Sequence, residues 1–401
     1  MLSAKISRKN RHCSKIISYI CSKKDRIMKF VVSSATLLNH LQAISRVINA
    51  KNTLPILDCF LLDLKGNMLS LAAADSETRL ETTVEVSSAD GEGNLAISAR
   101  NLLDPLRELP DQPLTIDIND ETLEVFIYYH NGKYNFVGLK GDEYPDPKPL
   151  KDDFMTLVLE ADTLFSGINR TVFATADDEL RPVMNGIYFD ITADDVTFVA
   201  SDGHKLVRLT TTEAKGEGRS SFILPKKPAN LLKALLPRES GRVEIRFDEN
   251  NAYITMSDYR MVCRFVEGRY PNYNSVIPKN NSNNITLDRL ALLNALKRVA
   301  VFSNPAISLV KFQLSEDKIV VSAQDIDFLT AAEEVIPCNY EGTVMNIGFK
   351  AAFLIDILNN IPSADVRIEL SDPSRAGLIL PVEQEENEDM LTLLMPMMLN
   401  D

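Results

Sequence analysis

One design is written three times along this chain, at a spacing of about 125 residues, and that repeat constrains the fold more than any single motif. Each copy runs in the same order: amphipathic helix, strand pair, second helix, further strands. The first helices show apolar positions at i, i+1, i+4 and i+7. These are Leu37, Leu38, Leu41 and Ile44; then Leu164, Phe165, Ile168 and Thr171; then Leu292, Leu293, Leu296 and Val299. A hairpin-like stretch follows each, ending in an x-Asp turn at Asp75, Asp202 and Asp325. The second helices stop at Leu109-Pro110, Leu236-Pro237 and Ile361-Pro362. Proline cannot donate the next helical hydrogen bond, so three matched stops point to three modules of one plan.

With 401 residues the chain can bury three separate cores. No apolar run is long enough to span a membrane as a helix. The five cysteines (Cys13, Cys21, Cys59, Cys263, Cys338) are scattered and form no C-x-x-C pair, which reads as reduced thiols in a cytoplasmic protein.

Residues 1–27 differ from the rest, with eight Lys/Arg against the single acid Asp25. Ile16-Ile17-Ser18-Tyr19-Ile20 is too short for the apolar stretch of a secretory signal. The segment reads as a disordered arm or as an upstream start before a natural one at Met28. The second fits better, because Met28-Lys29-Phe30-Val31-Val32 opens the first module directly. The whole chain carries −13 and the arm +7, so residues 28–401 carry −20. Such acidity ordinarily argues against nucleic acid. Yet the six helical windows (35–49, 98–109, 161–175, 225–236, 286–301, 348–360) together carry +6. Locally basic helices sit in an acidic body.

Proline-punctuated linkers at 141–149 and 278–284 separate modules at 28–150, 151–277 and 278–401. Strands alternate around turns, as at 115–118 and 124–127, and at 243–247 and 252–256, with 366–370 as the third counterpart. Each module is therefore expected to be α+β, two helices on antiparallel sheet. Pro105 falls inside a second helix, where it either kinks it or marks a first turn after Asp104.

The chain ends Met390-Leu391-Thr392-Leu393-Leu394-Met395-Pro396-Met397-Met398-Leu399. Leu391 and Leu393 fit a buried last strand. Three methionines around a proline make a soft surface suited to several partners. His204 lies two residues from Asp202, but Gly203 between them favours a tight turn, and no motif supplies a nucleophile. No phosphate loop or metal-ligand spacing is present, so no cofactor is expected.

In order along this repeat stand Met28-Lys29-Phe30, Thr53-Leu54-Pro55-Ile56-Leu57, Ser201-Asp202-Gly203-His204-Lys205-Leu206, Glu267-Gly268-Arg269-Tyr270-Pro271-Asn272-Tyr273, Val276-Ile277-Pro278-Lys279-Asn280 and Met395-Pro396-Met397. Together they resemble the bacterial sliding clamp, the beta subunit of DNA polymerase III, over residues 28 to 399. The resemblance implies three repeated DNA-clamp domains per protomer and a head-to-tail homodimeric ring, with helices lining a hole and sheet outside. It implies a processivity factor without chemistry of its own. Its partners are then double-stranded DNA, the polymerase III alpha subunit, the clamp loader, and other polymerases and repair proteins carrying short linear motifs.

The basic helices then face phosphate, where neutralising contacts release counterions. Inner-face candidates are Lys51, Arg100, Arg107, Arg170, Arg181, Lys226, Lys227, Lys233, Arg289, Lys297, Arg298 and Lys350, with Lys51 foremost because resembling clamps place a DNA-contacting basic residue just before the Thr53-Leu54-Pro55 stretch. The resemblance also implies a peptide pocket of Met184, Ser201, Gly203, His204, Lys205, Leu206, Pro271, Val276, Leu394, Met395, Pro396, Met397 and Met398. Ser275 and Met398 stand where such clamps often have arginine, and Asn400-Asp401 extend the tail, so an altered preference at the ligand's polar end is expected. The dimer seam is implied at Lys133, Phe136, Val301 and Phe302, although Phe302 could instead be buried in its own module. Two other readings compete: an acidic three-repeat scaffold that binds peptides without encircling DNA, and a repeat-containing enzyme.

Overall fold

The computed structural model describes residues 27–399. The basic arm and Asn400-Asp401 lie outside the described residues, apart from Ile27, which opens the first strand, Ile27–Ser33. The chain divides into two compact units: residues up to Pro149 together with Asp258–Cys263, and Leu150–Ser257 together with Arg264 onward.

The first unit holds a five-stranded sheet in the order Ser88–Asp90, Ile27–Ser33, Pro113–Asn119, Glu124–Tyr129, Gly132–Val137. A second sheet runs Leu139–Lys140, Gly93–Ser98, Cys59–Lys65, Met68–Ala74, Thr78–Glu85. Thr78–Glu85 is paired in turn with residues 259–263, so a segment from the middle of the sequence completes the first unit. The helices Ser34–Ile44 and Ala99–Arg107 bury Leu37, Leu41, Ile44, Leu102, Leu103 and Leu106. Each such side chain taken fully out of water stabilises by about 1.5–3 kcal/mol. Pro105 lies inside the second of these helices, which starts six residues earlier and stops two residues later. A first turn after Asp104 is therefore not what forms. The linker after Gly141 is anchored: Tyr144 is buried and donates its hydroxyl to the Cys59 carbonyl at 3.2 Å, and Arg79 donates to the Pro145 carbonyl at 2.7 Å.

The second unit contains two copies of the plan. Ala161–Thr171 pairs with Lys226–Leu235, and Arg289–Val299 with Ala351–Asn360. Its largest sheet runs Ser220–Pro225, Gly186–Ile191, Val196–Ser201, Lys205–Thr211, Glu388–Leu394, Gly377–Pro381, Asp365–Leu370, Asn283–Asp288, Asn339–Glu341. The junction of the two copies is the antiparallel pairing of Lys205–Thr211 with Glu388–Leu394, from Lys205 opposite Leu394 to Thr211 opposite Glu388. A four-stranded sheet, Thr330–Pro337, Lys318–Asp325, Leu309–Ser315, Met345–Lys350, completes the third copy.

The repeat extends to individual hydrogen bonds. The first N–H of each leading helix donates to a carbonyl just beyond the matching proline stop: Ser34 to Gln112, Ala161 to Gly241 and Arg289 to Ala364, all at 2.9 Å. A helix leaves its first N–H groups unsatisfied, and here the end of the second helix supplies the acceptor. The three x-Asp turns also match. Asp75, Asp202 and Asp325 each accept two backbone N–H groups, from residues two and three positions on. A short carboxylate bonding its own chain in this way is what favours aspartate in such turns.

Candidate functional site

The Asp202 turn forms one wall of an apolar cavity of about 170 Å³ in the second unit. Its lining is Met184, Ser201, Gly203, His204, Lys205, Leu206, Tyr270, Pro271, Asn272, Tyr273, Val276, Leu393 and Met395. Gly203 has φ +91°, and a Cβ there would sit 2.8 Å from the Arg181 guanidinium, so both backbone angle and space call for glycine. Asp202 accepts from the His204 and Lys205 N–H groups at 2.8 and 2.9 Å and from the Lys205 ammonium at 2.6 Å. Burial pushes its pKa up, but these donors outweigh it and hold the carboxyl below its ordinary value. The carboxylate thus shapes the turn through the main chain.

On another wall of the cavity, Tyr270 stacks on Tyr188 with ring centroids 4.7 Å apart, and burial raises its phenol pKa. Tyr273 donates to Asp190 at 3.0 Å, and burial with that neighbouring charge pushes the phenol up to about 12. The far wall comes from the last strand. Side chains alternate across a strand, so Leu393 faces the cavity while Leu394, 0 % exposed, faces the main core of the third copy. Leu394 is thus corrected out of the predicted lining, and Leu393 takes its place. Pro396, Met397 and Met398 do not line the cavity either. Met397 instead forms an antiparallel bridge to Gly348, donating to its carbonyl at 2.8 Å.

The twelve basic candidates fall into distinct environments. Lys51, Lys233 and Lys297 enter no ion pair among the described residues. Arg100 and Arg107 share Asp104, at 3.5 and 3.4 Å. Arg170 is paired with Glu388, Lys226 with Asp177 at 2.5 Å, and Arg298 forks onto Glu334 at 2.7 and 2.6 Å. Lys227 is half-buried near its helix start. Arg289 donates to the Ser363 and Leu358 carbonyls at 2.8 and 2.9 Å, closing the end of its module rather than presenting a free cation. Arg181 binds Asp178 at 2.8 Å and abuts Gly203, while Lys350 lies 4.8 Å from the Phe353 ring centre. Arg181 thus stands beside the cavity, and Lys350 is one ring removed from the lining residue His204.

Of the seam candidates, Lys133 and Phe136 lie on Gly132–Val137, an edge strand of its sheet. Val301 and Phe302 are 78 % and 40 % exposed, so Phe302 is not buried in its own module.

Three family models match in succession: the DNA polymerase III beta subunit N-terminal domain over residues 28–148, its central domain over 158–272 and its C-terminal domain over 274–398. The chain belongs to the DNA polymerase III beta subunit family. Among curated relatives, a beta sliding clamp of Pseudomonas putida is 29% identical over 373 residues, covering 93% of this chain and 100% of the relative. A crystal structure of a Pseudomonas aeruginosa sliding clamp superposes with a TM-score of 0.87 at 27% identity, covering 93% of this chain and 100% of that one. A Thermotoga maritima beta subunit, at 23% identity and a TM-score of 0.85 over 93% of this chain and 100% of its own, shares the fold. The fold is thus α+β with three clamp domains.

Sequence reasoning did not name Tyr270, Asn272, Tyr273 or Leu393 as lining residues. The first three lie within the quoted Glu267-to-Tyr273 motif, so the signal was present. Leu393 was legible only through strand parity, which needs the register.

Proposed function

We propose that the protein is a DNA sliding clamp: a processivity factor that closes around duplex DNA as a head-to-tail homodimer and tethers the replicative polymerase. The observation that carries this is the unbroken succession of three beta-subunit domains over 28–148, 158–272 and 274–398. Family membership makes it a non-catalytic subunit of DNA polymerase III and does not favour the peptide-only scaffold or the enzyme. The working domain bounds are 28–150, 151–277 and 278–401, and the site of action is the cytoplasm. No described helix is long and apolar enough to cross a membrane.

The cavity around His204 and Met395 is read as the docking site for short motifs of the polymerase, clamp loader and repair proteins. Its apolar lining and main-chain-rigid turn support this, since small pre-formed clefts with few polar groups favour defined ligands. Solved clamps from Pseudomonas aeruginosa and Bartonella birtlesii are bound to griselimycin, so ligands are known within the family. For DNA, Lys51, Lys233 and Lys297 are the leading contacts, because no carboxylate among the described residues pairs with them. Lys227, Arg100, Arg107 and Lys226 come next, and Arg170, Arg298 and Arg289 are mainly structural. Weak contacts suffice when retention is topological. The seam is read between the first domain of one protomer and the third of its partner. Exposed Val301 and Phe302 and the edge strands Gly132–Val137 and Thr330–Pro337 support it, since edges carry unpaired N–H and C=O groups.

The test is retention on nicked circular DNA after loading, compared with the same DNA cut once. Loss on cutting is expected. Equal retention on both forms overturns encirclement.

A further inference from the structure

Phe353, on the helix Ala351–Asn360, gathers three basic side chains beside the cavity. The His204 ring, itself part of the lining, stacks on it with centroids 5.8 Å apart. The Lys205 ammonium lies 4.3 Å from the ring centre and the Lys350 ammonium 4.8 Å. The two lysines are not equivalent. Lys205 is neutralised by Asp202 at 2.6 Å. Lys350 enters no ion pair among the described residues, and an aromatic face is a weaker counter-charge than a carboxylate. Its backbone is held firmly, opposite Leu309 in the sheet and as the N-cap of the Phe353 helix. An ammonium with a firmly held backbone and no carboxylate partner among the described residues therefore stands one ring away from His204 and Lys205, two residues that line an apolar cavity.

We infer that Lys350 is a specificity-determining residue of the pocket, taking an Asp or Glu carried a few residues from a partner peptide's apolar anchor. This rests on the reading of the cavity as a peptide-docking site. The anchor fills the 170 Å³ cavity, and the chain next to it passes the Phe353 ring. There a carboxylate reaches Lys350 and forms a charge-assisted hydrogen bond. Lys205 cannot do this without giving up Asp202 and the turn that shapes the cavity. Lys350 could instead meet DNA phosphate. Its position against Phe353, whose other ring neighbours are the lining residues His204 and Lys205, favours the peptide.

The test is selection of ten-residue peptides from a displayed library on the full-length protein, on Lys350→Ala, on Lys350→Arg and on the protein lacking Met395–Asp401. Expected is enrichment of Asp or Glu at one offset from an apolar anchor, kept by Lys350→Arg and lost with Lys350→Ala. Replacing that acid by its amide should lower affinity about fivefold on the parent protein, the upper range for a solvent-exposed pair, and leave affinity for Lys350→Ala unchanged. Anchors selected without an acid, or an acid preference that survives Lys350→Ala, overturn the inference and leave the pocket standing. Peptides selected equally by the tail-deleted protein overturn the pocket reading itself. Acid preference retained by Lys350→Ala alongside faster loss from nicked circular DNA assigns Lys350 to DNA.

Discussion

Met395 donates its backbone N–H to the carbonyl of His204 at 2.8 Å, so the last strand is stitched to the tip of the Asp202 turn at the rim of the cavity. Two residues on, Met397 is bound to Gly348. The tail is held by main-chain bonds at two points, with its Met side chains left adaptable.

Gly348 has no room for a side chain: a Cβ there would lie 2.7 Å from the Met397 carbonyl oxygen and 2.9 Å from a Leu399 methyl. Gly348→Ala is expected to lift the tail beyond Met395 while the domain stays folded. Amide hydrogen exchange should accelerate at Met397, with peptide affinity falling in parallel. Unchanged exchange there counts against the anchoring role.

Leu393 and Leu394 are adjacent but serve different faces. Leu394→Ala should cost about 2–5 kcal/mol of stability, as expected for truncating a buried leucine, read by urea unfolding. Leu393→Ala should weaken peptide binding by more than its stability loss explains, read by anisotropy on folded protein.

Arg289 and Lys297 lie on one helix with opposite roles. Arg289→Ala strands two carbonyls and should cost about 1–3 kcal/mol of stability, visible as a lower unfolding midpoint. Lys297→Ala should alter stability by less than about 0.5 kcal/mol and reduce the salt dependence of DNA contact. The reverse pattern contradicts the sorting proposed for the basic residues.

Phe302→Asp sets a carboxylate on the exposed end of Ala300–Phe302. At an apolar seam this costs several kcal/mol unless the charge is paired, of the order found for buried charges. Sedimentation should show monomer where the parent is dimeric, with peptide affinity retained. An unaltered dimer removes Phe302 from the seam.

Asp202 has a folded-state pKa below its ordinary 3.8, despite its burial. Its contribution to stability is therefore fully present above the ordinary value and is lost as pH falls through the lowered one. Peptide binding should persist down to about pH 4, the ordinary aspartate range, and decline below it. Asp202→Asn should lower stability at neutral pH and narrow the gap to the parent in acid.

The three leading helices were legible because period 3.6 shows in Leu37, Leu41 and Ile44 and recurs at Leu164 and Leu292. The Asp turns were legible because aspartate bonds its own main chain within three residues. Much of the cavity was legible too, since Met184, Ser201, Gly203, His204, Lys205, Leu206, Pro271, Val276 and Met395 meet there. Charge was read less well. Counting Lys and Arg by helix says nothing about Glu388 reaching Arg170 or Glu334 reaching Arg298, because those partners come from strands distant in sequence.

By itself the sequence determined the threefold α+β plan, the turn chemistry and the family. The first two follow from short-range periodicity and local hydrogen bonding, and the family from the resemblance carried by the motifs between Met28-Lys29-Phe30 and Met395-Pro396-Met397. Only the tertiary structure decided that Leu393 and not Leu394 lines the cavity, that Arg289 braces the Leu358 and Ser363 carbonyls, and that His204 and Lys205 stand beside Phe353. The first of these depends on the register that sets Lys205 opposite Leu394. A ladder between distant segments is chosen by the burial of both faces at once, and a one-residue slip would turn each side chain to the other face.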